Sequence, residues 1–309
     1  MTSTLDDPVN PSPPPRRRGD RVRTAVRSFG EVLITVGVVL LLFVVYEVYW
    51  TDVVSAGKQA AATDTLNQEW ARGDNPLVGA PAAPSNPGTP VTPAGQERTN
   101  TYSVVLGDGF AKLHIPSFGA DYQFTILQGT GTDTLATGPG HYEGTAFPGQ
   151  SGNFSVAGHR VGKGAPFNDL DLLQSCDAIV VETAEDWYVY RVLPMADEVA
   201  GWEGGRGRAD ASCRGVDGES GPVVPLGGDY AGVVGREVVD PSQSDVIAPV
   251  PDKPGATPAP GNAGSLLTLT TCTPRYSAEQ RMIIHAVLVR TLVKSAGPPG
   301  QLPPELKEG

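Results

Sequence analysis

The sequence contains few charged side chains and few cysteines. Asp, Glu, Lys and Arg make up only 18 % of the chain, whereas glycine occurs 38 times and proline 29 times. This combination favours a loop-rich β protein with flexible segments over a helical bundle. With three cysteines and four histidines in 309 residues, each of these side chains has to be considered individually.

Basic residues are scarce outside the N-terminus. Residues 1–30 hold six arginines and three acids, so the remainder carries 17 of the 23 basic and 31 of the 34 acidic side chains, a net charge of −14. Nucleic-acid phosphates require lysine and arginine on the protein. The acidic body therefore excludes nucleic acid as a partner.

One long apolar run follows the arginines. Residues 29–50 form a stretch of 22 residues, enough to cross a bilayer core of ~30 Å at ~1.5 Å per helical residue. The arginines on one side and Tyr46, Tyr49 and Trp50 on the other predict a single-pass membrane anchor with a cytoplasmic N-terminus and an extracytoplasmic body. The competing interpretation is a cleaved signal peptide, because residues 54–56 (VSA) loosely resemble a cleavage site. The apolar run is long for a signal peptide, which favours the anchor.

Composition divides the chain into five segments. We expect residues 1–28 to be a basic, disordered cytoplasmic segment and residues 29–50 to be the transmembrane anchor. Residues 51–101 should form a juxtamembrane helix (from about Ser55 to Arg72) and a proline-rich stalk. Residues 102–294 should form a folded domain and residues 295–309 a polar tail. In the folded domain, short β-like runs separated by glycine turns predict an all-β barrel or sandwich with short helices. Residues 195–235 form a glycine-rich excursion, and loops of that length are usually functional or disordered.

A cysteine lies at the end of one predicted strand, in the stretch TLTTCTP at residues 268–274. Cys272 fits two interpretations. Most free cysteines are small buried hydrophobes, but a cysteine beside a group that takes its proton or stabilises its thiolate is a nucleophile. The other two cysteines, Cys176 and Cys213, suit a disulfide that ties the excursion to the barrel, since the body is exported.

The histidines supply the candidate proton acceptors. His159 ends the predicted strand NFSVAGHR, where it can project over a groove, and His141 lies in a glycine-rich loop that can also line a site. His114 and His285 lie within strands and read as structural. Arg281 follows Cys272 by nine residues, so an antiparallel pair of strands would bring both to one end of the sheet. Arginine stays charged and can stabilise a developing oxyanion.

These stretches resemble a known family. TLTTCTP followed by an arginine and an aliphatic strand is similar to the signature of sortases, the cysteine transpeptidases of Gram-positive bacterial surfaces, and GHYEGTAFPGQSGNFSVAGHR (residues 140–160) resembles their histidine-bearing segment. The similarity spans residues 104–293. The surroundings of Tyr142 and Gly144, with the single anchor and the stalk, look most like class E, the housekeeping sortases of actinobacteria.

The resemblance implies a sortase-type eight-stranded β-barrel with its active site at one rim. By position it makes Cys272 the nucleophile, His159 the acid or base and Arg281 the oxyanion or substrate stabiliser. It makes Tyr142, Thr145 and Thr271 substrate-binding residues. The implied substrates are surface proteins with a C-terminal Leu-Ala-x-Thr-Gly-like sorting signal, which is cut after threonine and transferred to an amine of a peptidoglycan precursor. The excursion at 195–235 departs from the family pattern and is expected near the loop that contacts substrate.

Other interpretations remain open at this point. A pilus-type sortase would join protein subunits, but its Asp-Pro-aromatic lid and C-terminal membrane segment are not seen. A catalytically silent domain would bind sorting signals without cleaving them. No spacing of ligands indicates a metal site, and the resemblance implies no cofactor.

Overall fold

A computed structural model describes residues 18–46, 51–77, 104–215, 220–256, 264–294 and 302–308. The proline-rich part of the predicted stalk, the first residues of the basic segment and the start of the tail lie outside these ranges. The chain divides into two compact units, residues 1–48 and 49–309.

The described residues of the first unit form a helix, α1 (Arg18–Val45). Its apolar part, Val22–Val45, is long and apolar enough to cross a membrane. The helix begins earlier than the apolar run, so the predicted disorder of residues 1–28 is wrong over 18–28. Arginine and alanine are good helix formers and no proline interrupts this stretch, so the basic residues extend the apolar helix toward the N-terminus.

The second unit begins with α2 (Thr51–Arg72), which confirms the predicted juxtamembrane helix. The helix packs on the first two strands of the barrel. The Gln59 side-chain amide forms the two hydrogen bonds that a neighbouring strand would form with Thr125 of β2. It donates to Thr125 O and accepts from Thr125 N, both at 2.9 Å. Asp52 accepts a hydrogen bond from the backbone N of Gly164 at 3.0 Å. The N-terminus of α2 is therefore fastened to the loop after His159.

Nine strands in the described part of the chain form one sheet. They are β1 (Gly109–His114), β2 (Gln123–Gln128), β3 (Gly140–His141), β4 (Gly152–Ala157), β5 (Ala178–Glu182), β6 (Asp186–Val192), β7 (Arg236–Val239), β8 (Ser265–Thr273) and β9 (Gln280–Val293). Their order is β6-β5-β1-β2-β3-β4-β8-β9, and β6 also pairs with β9, so eight strands close a barrel. This confirms the predicted eight-stranded β-barrel, whose strands run in both parallel and antiparallel pairs. Strand β7 pairs with residues 281–284 of β9, before the part of β9 that pairs with β6. Short helices α3 (Thr132–Leu135), α4 (Arg206–Ala209) and α5 (Ala211–Arg214) lie in the connections.

The barrel interior is filled by alternate residues of the strands. Phe154 and Val156 of β4 and Leu267 and Leu269 of β8 belong to the main core cluster and are completely buried. Because side chains alternate along a strand, the residues between them face outward. The outer face of β8 therefore carries Thr268, Thr270 and Cys272, beside the outward residues of β4.

Strand β3 is absent from the sequence-based interpretation, which placed His141 in a loop. It has only two residues, pairing in parallel with β2 and antiparallel with β4. Two residues show no periodicity, and one of them is a glycine, so no pattern indicates a strand. The barrel cannot close without it, because it alone joins β2 to β4.

Part of the excursion at 195–235 is anchored far from Cys272. A disulfide joins Cys176 to Cys213, as expected, and Trp202 and Val223 pack against it. The backbone N of Gly221 donates to Val289 O, eight residues beyond Arg281 on β9, or roughly 27 Å at ~3.4 Å per residue. The part of the excursion that carries Cys213 and Val223 is therefore fixed at the end of β9 away from Arg281, whereas Tyr230 and Val233 pack around Val250. That the excursion lies near the substrate-contacting loop stays a prediction.

Part of the predicted polar tail is docked on the barrel. In residues 302–308, Glu305 pairs with Arg290 and Glu308 with Arg191. Leu306 packs beside Val180 and Trp187. These contacts give the tail a defined position that its polar composition did not indicate.

Candidate active site

Three of the sequence-predicted residues lie at equivalent positions on adjacent strands. Strands β4 and β8 are parallel with Ala157 opposite Thr270, and Gly158 N donates to Thr270 O at 3.1 Å. Two residues further along, His159 and Cys272 leave the same edge of the sheet. Strands β8 and β9 are antiparallel with Cys272 directly opposite Arg281. Neighbouring strands are ~4.8 Å apart, so the order His159, Cys272, Arg281 places the cysteine between a base and a cation.

Cys272 is a free, partly exposed thiol, whereas Cys176 and Cys213 are completely buried in their disulfide. Its two neighbours on β8 face the other way and are buried. Thr271 donates to Gly158 O at 2.8 Å and Thr273 Oγ1 accepts from Arg160 at 2.7 Å. The backbone around Cys272 is thus fixed on both sides while its thiol faces outward, which overturns the interpretation of a buried core cysteine.

His159 is held at the end of β4 by a tight contact behind Gly158. A Cβ on Gly158 would lie 2.5 Å from the Phe167 ring, so only glycine fits. Phe167 N also donates to His159 O at 3.0 Å. Burial lowers the pKa of His159 from its ordinary value, and the nearby Lys163 ammonium lowers it further. Both effects favour the neutral imidazole, the form that accepts a proton.

Arg281 opens β9, and its guanidinium donates to Ala278 O and Gln280 O, both at 3.1 Å. These bonds hold the fork at the β8–β9 turn beside Cys272. Guanidinium has five donors, so donors remain for a substrate carbonyl.

A second arginine in the site was not singled out from the sequence. Arg160 is buried, bonding Thr273 Oγ1 and pairing with Asp171 at 3.1 Å. It ties the residue after Cys272 to the residue after His159, so it fixes the spacing of the two strand ends. Its position in the sequence, directly after His159, was the signal that could have indicated its place in the site.

The three predicted substrate-binding residues are placed differently from one another. The Tyr142 hydroxyl is 2.9 Å from Thr270 Oγ1, over the outer face of β8 and two residues before Cys272. Thr145 donates to Tyr142 O at 2.8 Å and lies 2.9 Å from His141 Nε2, so it shapes the loop that carries Tyr142. The Thr271 side chain lies on the opposite face of β8 from Cys272 and donates to Gly158 O, so it braces β4.

The other three histidines have structural surroundings. His141 is buried among Phe110, Phe147 and Phe154, and burial lowers its pKa to about 4. It is within hydrogen-bond distance of Gln128 and Ala146 O and does not line the groove as a free base. His114 lies 3.4 Å from Glu182 and beside Trp187, in agreement with its predicted place on a strand face.

His285 belongs to a polar chain that links four strands, β4, β8, β9 and β7. Asn153 Nδ2 donates to Val246 O and Ala248 O at 3.2 and 3.1 Å, so its Oδ1 faces Thr268, which donates to it at 2.7 Å. With the Thr268 proton used in this way, His285 Nδ1 donates to Thr268 at 2.8 Å. His285 Nε2 lies 3.0 Å from Glu237 Oε1. The chain fastens residues 246–248 over the outer face of β4 and β8.

These elements define a groove on the outside of the barrel, which we call the outer groove. Its floor is formed by Ser155, Ala157 and Thr270, one wall by Tyr142 and the loop after it, and the other by residues 246–249. It leads along β8 to the exposed thiol of Cys272. Among the described residues, no group of three or more His, Cys, Asp or Glu is arranged to hold a metal ion.

Comparisons with known proteins agree with this geometry. A family model described as "Sortase domain" matches residues 113–289. Sortase SrtE1 of Streptomyces coelicolor is 31 % identical over 90 % of this chain, and the match spans 61 % of that relative's length, so the chain represents less than two thirds of it. Sortase SrtE2 of the same organism is 30 % identical over 89 % of this chain and 87 % of its own length. Both relatives are in line with the resemblance to class E.

A solved structure shares both the fold and appreciable sequence identity with this chain. The SrtF sortase from Corynebacterium diphtheriae is 39 % identical, with a TM-score of 0.55 over 72 % of this chain and all of that chain. Cys272, His159 and Arg281 all lie within the region that the family model covers.

Proposed function

The chain belongs to the sortase family, and from that membership we propose that it is a cell-surface cysteine transpeptidase. Its substrates are surface proteins with a Leu-Ala-x-Thr-Gly-like sorting signal, which it cleaves between threonine and glycine. It then transfers the protein to an amine of a cell-wall precursor. The observation that carries this proposal is the register of β4, β8 and β9, which brings His159, Cys272 and Arg281 to one edge of the barrel.

In the first step, Cys272 is the nucleophile. Its Sγ forms a bond to the threonine carbonyl carbon, and the thiol proton goes to the neutral imidazole of His159. The carbonyl oxygen becomes an oxyanion, which Arg281 stabilises with charge-assisted hydrogen bonds. The carbon–nitrogen bond to glycine then breaks, His159 returns the proton to the leaving amine, and a thioester on Cys272 remains.

In the second step, an amine takes the place of the departed peptide. The incoming amine attacks the thioester carbon while His159 accepts one of its protons, and the Cys272 thiolate leaves. Proton return from His159 restores the starting thiol, so the cycle consumes no cofactor. Two titrating groups share one proton here, so the pH optimum belongs to the Cys272–His159 pair rather than to either residue.

The remaining assignments concern recognition and location. Tyr142 contacts the signal where it crosses Thr270, and Thr145 supports Tyr142 from behind. The apolar helix within residues 29–50 anchors the chain with its N-terminus in the cytoplasm and its barrel outside. Residues 51–101 then connect the anchor to the catalytic domain at 102–294.

The test is mass spectrometry of the full chain in detergent micelles mixed with a Leu-Ala-x-Thr-Gly peptide and an amine acceptor such as triglycine. We expect an acyl adduct on Cys272 that is discharged to the amine. The Cys272→Ala variant should lose both transfer and hydrolysis by roughly 10³-fold or more, as on removal of other catalytic nucleophiles. Peptide binding to the wild-type chain without an adduct would instead identify a silent binding domain.

A further inference from the structure

We propose that a cavity beyond the outer groove binds the uncharged residues that precede the sorting motif in the substrate. The cavity has a volume of about 430 Å³ and lies between the loop at 144–152 and residues 247–249. The occupant is the substrate chain itself, in extended conformation. This inference rests on the proposed function, since it extends the binding surface of the same reaction.

The cavity lies on the outer face of β4, the strand whose end leads to His159 beside Cys272. Its lining includes Asn153 at the start of β4, and the outer face of the same strand runs on through Ser155 and Ala157 to His159. Cys272 is the next-to-last residue of β8, so the barrel offers a binding face in one direction only. A peptide acylated on Cys272 therefore has its N-terminal part over this face, directed toward the cavity.

Strand spacing shows which substrate residues reach the cavity. Thr145 Oγ1 lies 3.4 Å from Ser155 N, four residues before His159, and Asn153 is six residues before it. At ~3.3 Å per residue, Ser155 and Asn153 lie roughly 13 and 20 Å along β4 from His159, which is level with Cys272. The cavity therefore begins about 13 Å and ends about 20 Å from the reacting thiol. The first residue of a Leu-Ala-x-Thr motif lies only ~10 Å from the scissile carbonyl on the same scale. The cavity thus accommodates the first three residues before the motif.

The lining identifies the chemical class of those residues. None of the side chains around the cavity is Asp, Glu, Lys or Arg. The polar side chains of the lining, such as Gln128, Gln150 and Ser151, are uncharged, and Phe147 and Ile247 offer apolar surface. A charged side chain would lose water there without gaining a partner, which is unfavourable. Neutral substrate residues fit the cavity and charged ones do not.

The wall of the cavity is fixed in advance. Asn153 lines it, is 1 % exposed, and holds the carbonyls of Val246 and Ala248 on either side of Ile247. Thr268, His285 and Glu237 continue this chain of hydrogen bonds behind the wall. A site that is already ordered costs less to occupy, so a short peptide extension can contribute to affinity.

The experiment compares three peptides on the full chain in detergent micelles with triglycine as acceptor. One is the five-residue motif with blocked ends, one has three neutral residues (Ser-Val-Ser) before it, and one has Lys-Glu-Lys there. We expect kcat/KM to rise about tenfold with the neutral extension, equivalent to ~1.4 kcal/mol, mainly through KM. The charged extension should give less than about a third of that gain.

Two matched variants locate the effect. Ser151 is exposed at the mouth of the cavity and Ala200 is exposed on the excursion. In Ser151→Trp the ratio of kcat/KM between the neutral-extended and short peptides should fall to near one, and in Ala200→Trp it should stay as in wild type. Equal kcat/KM for short and extended peptides would overturn the subsite while leaving the proposed function intact. An equal gain from both extensions, or an unchanged ratio in Ser151→Trp, would also overturn it. Reaction of no peptide would overturn the proposed function and the subsite with it.

Discussion

Cys272 on β8 and Arg281 on β9 are direct cross-strand partners, so the backbone ladder itself holds the thiol beside the guanidinium. On the other side of Cys272, the parallel ladder to β4 ends two residues before His159. The three side chains depend on strand register rather than on flexible loops. This arrangement leads to the following predictions.

Arg281→Lys should lower kcat by about 10²-fold with KM changed less than about threefold. Lysine keeps the positive charge but lacks the planar guanidinium. The guanidinium can bond Ala278 O and Gln280 O and still donate to an oxyanion, whereas an ammonium cannot do both in this geometry. Steady-state kinetics with a sorting-signal peptide measure both constants. Arg275→Ala is the control: Arg275 is exposed and pairs with Asp169 and Asp171, so its kcat should stay within about twofold of wild type. A rise in KM at constant kcat for Arg281→Lys would assign Arg281 to uniform binding.

His159 should titrate below the ordinary histidine value of 6.5, because burial and Lys163 disfavour its charged form. In Lys163→Gln the Coulombic contribution disappears, so the pKa of His159 should rise. Nuclear magnetic resonance of the histidine ring in a Cys272→Ala background measures this pKa without coupling to the thiol. Lys58→Gln on the exposed face of α2 serves as a control and should leave it unchanged. A pKa that falls in Lys163→Gln would contradict this account.

Loss of the Cys176–Cys213 disulfide should reduce stability without reducing activity. Cross-linking residues 37 apart stabilises a fold by about 2–4 kcal/mol, mainly through the unfolded chain. Cys176→Ser, Cys213→Ser and the double variant should lose about the same free energy of unfolding, because each removes the same bond. Denaturant unfolding tests this. Their kcat/KM should stay within about twofold of wild type, since the bond lies far from Cys272. A large loss of kcat/KM with retained fold would show that the excursion contributes to the site.

His141 should make the fold sensitive to acid. Its pKa is about 4 in the folded state and 6.5 unfolded, so between these values the unfolded chain binds more protons. Stability from this group is complete above pH 6.5 and is lost as the pH falls toward 4, by up to roughly 3 kcal/mol. The His141→Gln variant should be less stable at pH 7 but lose correspondingly less between pH 7 and 4. Denaturant unfolding curves of the wild type and the variant at pH 7 and pH 4 test this prediction. It would be contradicted if both chains lost the same free energy of unfolding between these pH values.

Much of the barrel could be predicted from residue patterns. Runs such as AIVVE and SLLTLTTCT are β-branched and apolar, and glycine turns separate them, so each indicated a strand without reference to the rest of the fold. The helix before the stalk region and the disulfide between Cys176 and Cys213 were also expected. Strand β3 and the docked tail were missed, because two residues have no period and because the arginines that pair with Glu305 and Glu308 are far away in sequence.

The candidate site shows the same division. The sequence alone determined which residue types end which strands: a histidine after a glycine, a cysteine between threonines, and an arginine opening the next strand. Only the tertiary structure decided that β4 lies beside β8 in parallel and in register, which unites residues 113 positions apart. It also decided that Asn153, Thr268, His285 and Glu237 form one chain under the groove wall. Local preferences act over a few residues, whereas register between distant strands is set by closing the barrel around a shared core.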